Sequence, residues 1–212
     1  MILRFHHGWG FDAAFWRGVA ALLPGYKLEY CDRGYFGEPS SPPPADEPLI
    51  AVAHSFGTMI ALREPMSTCQ RLIAFNGFDC FTARKDMQAT PSRILDRMLA
   101  RLSADPDAVL SEFRERCGDE TIFARSVAEP LRRDLIALRD WDCRDQTAIF
   151  DMPILSLQGG SDPILSPAMR QSTLASARQL EREELAGAGH LLPLTEPGIC
   201  ASRIADFAEH LR

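Results

Sequence analysis

Residues 49–62 read Leu-Ile-Ala-Val-Ala-His-Ser-Phe-Gly-Thr-Met-Ile-Ala-Leu, an apolar run that halts at His54-Ser55-Phe56-Gly57 and resumes at once. The first half, Leu49 to Ala53, is short and apolar on both faces, as a strand inside a parallel sheet must be. The second half continues as a helix from Phe56 to about Arg63. Ala53-His54-Ser55-Phe56-Gly57 is close to G-x-S-x-G, in which a sharp strand-to-helix turn holds a serine up for attack. The turn needs small residues two before and two after the serine, expected to pass close to one another, and Ala53 and Gly57 meet that need. The helix N-terminus then faces the reacting centre, where its dipole favours negative charge. A serine that merely caps the helix is the plain alternative.

Working outward, the pattern alternates strand and helix. Strands are predicted over Ile2–His6, Lys27–Cys31, Leu49–Ala53, Arg71–Phe75, Pro153–Leu157 and Gln179–Leu185. Helices are predicted over Asp12–Leu23, Phe56–Arg63, about Ser166–Ala177 and about Glu196–His210. Asp32 to Pro48, with Pro42-Pro43-Pro44, is a loop by composition. Such alternation predicts an α/β fold: a mostly parallel six-stranded sheet with helices on both faces.

Residues 78–150 break the alternation. Ile94, Leu95, Met98, Leu99 and Leu102 form one helical apolar stripe, Leu110, Phe113 and Cys117 a second, Leu131, Leu135 and Leu138 a third. The expected organisation is a core over 1–77 and 151–212, interrupted by a helical cap over 78–150 at the carboxyl edge of the sheet, where open sheets bind ligands.

A serine hydroxyl needs a base, and a histidine serves best near neutral pH. His190, in Ala188-Gly189-His190-Leu191 between the last strand and the last helix, stands in the expected chain position. The acid should sit at a strand end. Asp162, after the fifth strand in Gly159-Gly160-Ser161-Asp162-Pro163, is preferred, with Asp79 and Asp134 as rivals. An oxyanion needs amide donors: the N–H of Phe56 and that of Trp9, in His7-Gly8-Trp9-Gly10 after the first strand. His6 and His54 are read as structural, His7 as a brace for that loop.

Ser55, Asp162 and His190 in that order, with the His7-Gly8 loop, resemble the α/β-hydrolase fold over nearly the whole chain. His7-Gly8-Trp9-Gly10-Phe11 and Gly189-His190 are similar to the pimeloyl-[acyl-carrier-protein] methyl ester esterases of biotin synthesis. Ala74-Phe75-Asn76-Gly77, Phe113-Arg114-Glu115-Arg116-Cys117-Gly118 and the short length resemble their compact branch. The resemblance implies a reduced α/β-hydrolase fold, lacking two leading strands and with the loop at 36–48 in place of a helix. It implies a serine carboxylesterase with no cofactor and no metal. An acyl channel is expected from Trp9, Phe81, Ile94 and Leu191. Arg93, Arg97 and Arg101, opposite the first stripe, would dock an acidic carrier protein; a solvated helix face is the alternative, since acidic residues are interleaved and outnumber basic ones over 78–150.

Two competing readings stay open. One is a general esterase or thioesterase for small acyl groups. The other is a hydrolase-fold binding protein without turnover, which predicts an Asp162 too far from His190 to hydrogen-bond. Formal net charge is -6 over 212 residues, so nucleic acid is not an expected partner. No apolar run reaches the roughly 20 residues of a membrane span. Met1 leads into no basic-then-apolar leader, and six scattered cysteines without a CxxC pair read as reduced thiols rather than a zinc site or a disulfide frame, so a cytoplasmic protein is expected.

Overall fold

The computed structural model describes residues 1–64 and 68–209. Its centre is a single sheet of six strands: β1 (Ile2–His6), β2 (Lys27–Cys31), β3 (Leu49–His54), β4 (Cys69–Phe75), β5 (Ile154–Gly159) and β6 (Leu180–Leu185). The spatial order is β2-β1-β3-β4-β5-β6, and every neighbouring pair is parallel. The expected sheet is therefore present, and wholly rather than mostly parallel.

Period-two side-chain alternation sorts the core into two layers. Ile2, Leu49, Ala51, Ala53, Leu72, Ala74 and Ile154 face one layer. Leu3, Phe5, Ile50, Val52, Ile73, Phe75, Leu155 and Leu157 face the other. Strands buried on both faces read as mostly apolar runs, as in Leu49–Ala53 of β3, Leu72–Phe75 of β4 and, apart from Ser156, Ile154–Leu157 of β5. The first layer is covered by α2 (Gly57–Arg63), whose buried side includes Met59, Ile60 and Leu62. The second is closed by α1 (Arg17–Ala20) and α9 (Pro197–Glu209), through Val19, Cys200, Ile204 and Phe207.

Two predicted helices are shorter in the fold. Over Asp12–Leu23, the Asp12 carboxylate caps the Ala14 amide and opens a tight 3-10 turn, Ala13–Trp16, before α1. Over Ser166–Ala177 only α7 (Pro167–Ser172) forms. It stops because Leu174 takes φ 56 and gives its amide to Asp79 Oδ1 at 3.1 Å. The last helix is split: α8 (Leu192–Thr195) precedes α9, and His210, its expected end, lies outside the described residues.

Between β4 and β5 run α3 (Ser92–Leu102), α4 (Pro106–Cys117), α5 (Ala128–Asp140) and α6 (Arg144–Ile149). The three predicted stripes are their inner faces: Leu95, Leu99, Leu102, Leu110, Cys117, Leu131, Leu135 and Leu138 are buried, while Ile94, Met98 and Phe113 are half-buried. The six cysteines are free and buried. Among the described residues no helix is long and apolar enough to cross a membrane.

Sequence order in the sheet reverses between β1 and β3. A crevice forms at the carboxyl ends of strands flanking such a switch point. The His7–Gly10 loop leaves β1 there, and His54-Ser55 leaves β3 there.

Candidate active site

Ser55 sits between β3 and α2 at φ 52, a left-handed conformation that a non-glycine residue adopts at a cost. Its amide donates to the Phe75 carbonyl at 3.1 Å, which ties the turn to the end of β4. The sequence attributes Gly57 to a close pass by Ala53, and the structure corrects this. A Cβ on Gly57 would stand 2.3 Å from the His6 carbonyl oxygen and 2.8 Å from that of His7. The glycine is needed because α2 starts against the backbone leaving β1. Gly8 fits the same contact from the other side, since a Cβ there would come within 3.1 Å of Ser55 Cβ.

His190 lies in the loop between β6 and α8. Its Nδ1–H donates to Asp162 Oδ2 at 2.7 Å, and the Ser55 hydroxyl is 3.0 Å from its Nε2. All three side chains are buried. With Nδ1 protonated toward the carboxylate, Nε2 carries the lone pair that faces the serine.

Asp162 is held by more than the histidine. Its Oδ1 accepts from the amides of Ile164, at 2.6 Å, and Leu165, at 3.0 Å, while Oδ2 also accepts from Asn76 Nδ2 at 2.6 Å. Burial pushes its carboxyl up, but the His190 hydrogen bond and charge and the two amides outweigh that and hold it below the usual aspartate value. Asn76 ends β4 at φ 47 and also reaches the Gly189 carbonyl at 3.4 Å. From sequence Asn76 enters only within Ala74-Phe75-Asn76-Gly77, with no role assigned at the site. Its one legible signal was the tolerance of asparagine for the left-handed conformation.

The rival acids are engaged elsewhere. Asp79 anchors Leu174, and burial raises its carboxyl above the ordinary value. Asp134 accepts from Arg33 at 2.7 and 2.8 Å, from Tyr35 Oη at 2.7 Å and from Arg133 at 2.9 Å, tying the loop after β2 to α5. The 2.7 Å contact between Asp162 and His190 is also opposite to what the binding-protein reading predicts.

Among the described residues, no acceptor is hydrogen-bonded to the Trp9 or Phe56 amide. The Trp9 indole donates to the Leu131 carbonyl at 2.9 Å and meets Phe113 edge-on at 4.9 Å, so the loop after β1 is moored to α4 and α5. His7 braces the loop as expected: Nδ1 reaches the Gly8 carbonyl at 2.9 Å, and Nε2 accepts from the Arg33 amide at 3.1 Å.

Ser55 opens into a cavity of about 50 Å³. Trp9, Phe81 and Ile94 line it, as anticipated, with Phe78, Leu135 and Leu138. Leu191 does not, which corrects the expected acyl channel. It follows His190 into the layer beneath α1 and α9 and is buried there. Arg116, which the sequence reading did not single out, is the charged residue on the cavity wall. The arginines of α3 are exposed and away from that wall; Arg101 pairs with Glu112 on α4, whereas Arg93 and Arg97 have no ion pair among the described residues.

His54 supports the site from beneath. Its Nε2 donates to the His190 carbonyl at 2.9 Å, its ring stacks on Phe15 at 4.5 Å, and its Nδ1 has no partner among the described residues. Burial, with the nearby His190, holds its pKa well below the ordinary 6.5. Protonation therefore favours the unfolded chain. Stability from this group is complete above about pH 6.5 and is lost as pH falls from there toward the folded-state value. The melting temperature is expected to drop between pH 7 and 5, and to drop less steeply in His54→Gln, which keeps a donor for the His190 carbonyl. Equal slopes in differential scanning calorimetry would refute this.

The profile of the alpha/beta hydrolase family matches residues 35–203. The pimeloyl-[acyl-carrier protein] methyl ester esterase of Yersinia pseudotuberculosis is 25% identical over 236 aligned positions, spanning 96% of this chain and 91% of that one. An esterase from Exiguobacterium antarcticum superposes with a TM-score of 0.83 at 18% identity, across 99% of this chain and 92% of that one. A thermophilic esterase from Thermogutta terrifontis gives 0.81 at 15% identity, across 99% and 90%.

Proposed function

Because the chain belongs to the alpha/beta hydrolase family, we propose that it is a serine carboxylesterase that cleaves an acyl methyl ester. The observation that carries this reading is the continuous chain from Ser55 Oγ through the His190 ring to Asp162, at 3.0 and 2.7 Å. Ser55 attacks the ester carbonyl while His190 Nε2 takes its proton. Asp162 fixes the tautomer and stabilises the imidazolium. The Trp9 and Phe56 amides receive the oxyanion; their lack of other acceptors leaves them ready for that role. His190 returns the proton to the departing methanol. Water, deprotonated by the same imidazole, then releases the acid and restores Ser55. In this reading residues 78–150 form a cap over a core made of 1–77 and 151–212.

For the substrate, the relatives named pimeloyl-[acyl-carrier protein] methyl ester esterases favour a carrier-linked pimeloyl methyl ester. The apolar wall of Trp9, Phe81, Ile94, Phe78, Leu135 and Leu138 suits an acyl chain, and Arg116 would meet an anionic group of the carrier's arm. A cavity of about 50 Å³ is far below the roughly 300–1,000 Å³ of ordinary ligand pockets, so a long acyl chain requires α3 and α4 to part. That small volume favours a second reading, an esterase or thioesterase for short acyl groups. Growth of a biotin auxotroph lacking its own esterase separates the two. Rescue by this protein, and none by Ser55→Ala, supports the carrier substrate; no rescue by an expressed, ester-cleaving protein refutes it.

Docking of an acidic carrier would draw on Arg93 and Arg97 of α3, which have no ion pair among the described residues. Reversing both to glutamate is expected to raise KM about tenfold for the carrier-bound ester and leave a free methyl ester unaffected, because exposed rim charges act on encounter. Unchanged kinetics on the carrier-bound ester would remove α3 from the docking surface.

A further inference from the structure

Where β1 and β2 meet the end of α2, three metal-binding side chain types converge. His6 and Cys31 are direct register partners at the carboxyl ends of β1 and β2. Glu64 follows α2 on the layer of the core that covers them. Nδ1 or Nε2 of His6, Sγ of Cys31 and a carboxylate oxygen of Glu64 lie within 4.8 Å of one another.

Two of these groups are unsatisfied in ways packing does not explain. His6 is 2% exposed, yet neither ring nitrogen has a hydrogen-bond partner among the described residues. Burying an imidazole with both nitrogens bare costs the desolvation of each. The Glu64 carboxylate likewise has no hydrogen bond or ion pair among the described residues. The adjacent arginines are committed elsewhere: Arg4 to Glu29 at 2.8 Å and to the Pro43 carbonyl, Arg33 to Asp134.

We propose that His6, Cys31 and Glu64 form a structural zinc site that staples β1, β2 and the end of α2. Imidazole nitrogen, thiolate sulfur and carboxylate oxygen are zinc's usual protein donors. Around a tetrahedral ion with bonds of about 2.0–2.3 Å, ligand atoms stand roughly 3.5 Å apart. With separations of up to 4.8 Å, the ligand atoms need to close by up to about an ångström, through side-chain rotation of Glu64, His6 and Cys31. Cys31 and Glu64 line a cleft together with Ser41, Asp32, Arg33 and Arg133, so two of the three ligands are open to solvent while His6 lies behind them. A zinc–sulfur bond forms as the Cys31 S–H proton leaves to solvent, with no change of oxidation state. A divalent ion with one thiolate and one carboxylate is neutral, which suits a site flanked by two arginines. Burial holds the His6 pKa down to about 3 and pushes that of the Cys31 thiol up to about 12, so the ion itself must displace the thiol proton.

The test uses the full chain, stripped with a chelator and titrated with Co²⁺, then back-titrated with Zn²⁺. The expected result is one Co²⁺ per chain, with a thiolate-to-cobalt charge-transfer band and intense visible ligand-field bands, both erased by one equivalent of Zn²⁺. Cys31→Ser should abolish the charge-transfer band. Cys200→Ser, on the other face of the sheet, should keep it. Glu64→Gln, at a half-buried position, should weaken binding at least tenfold without unfolding the chain. A folded wild-type protein without the charge-transfer band overturns the proposal, as does a band that survives Cys31→Ser. Neither readout depends on ester hydrolysis.

Discussion

Replacing Ser55 by alanine is expected to lower ester hydrolysis by roughly 10⁴-fold or more, with the folded structure intact. The hydroxyl forms the covalent bond, and no neighbouring group on the cavity wall replaces it: the lining beside it is apolar apart from Thr90 and Arg116. Alanine also relieves nothing at φ 52, since its Cβ meets the same backbone as serine's. Thermal stability should therefore stay close to wild type. The check is steady-state hydrolysis of a p-nitrophenyl or methyl ester, beside labelling by a phosphonate that captures activated serines. A Ser55→Ala protein that turns over at wild-type rate, or wild-type protein labelled at another residue, would end the esterase reading.

Asp162→Asn should cost about 10⁴-fold in kcat while substrate binding changes little. The reason lies in the four donors around the carboxylate. Ile164 and Leu165 amides demand an oxygen at the Oδ1 position, so the new NH₂ must point toward His190 Nδ1 and Asn76 Nδ2. That NH₂ donates, which forces the proton of His190 onto Nε2, and the ring then presents a donor rather than a lone pair to Ser55. Because the Asp162 carboxyl is held below the ordinary aspartate value, it stays ionised through the usual aspartate range, so its protonation should not limit wild-type kcat/KM there in a pH–rate profile. In Asp162→Asn, kcat should be low at every pH; full activity recovered at neutral pH would show that the carboxylate is not needed.

Much of the fold was legible because its signals are local. The apolar run Leu49–Ala53 and the mostly apolar Ile154–Leu157, interrupted only by Ser156, require burial on both faces, and the sheet supplies it. The helix ends were less legible. Leu174 leaves the helical conformation to serve Asp79, ninety-odd positions earlier in the chain, and no window around α7 contains that partner. Leu191 failed for the same reason in reverse. Its neighbour His190 turns into the site, so Leu191 points the other way, into a core layer that sequence proximity does not reveal.

What the sequence by itself determined is the set of chemical groups and their order: a serine on a strand-to-helix turn, an acid after β5, a histidine after β6 and a glycine loop after β1. Those follow from spacing and backbone need, which act over a few residues. Only the tertiary structure decided which acid meets His190, what Gly57 avoids, that Asn76 completes the carboxylate's shell, and that ligand atoms of His6, Cys31 and Glu64 lie within 4.8 Å of one another. These are contacts between residues tens of positions apart. They are selected by the register of a parallel sheet, in which every strand's carboxyl end is delivered to the same edge whatever its distance along the chain.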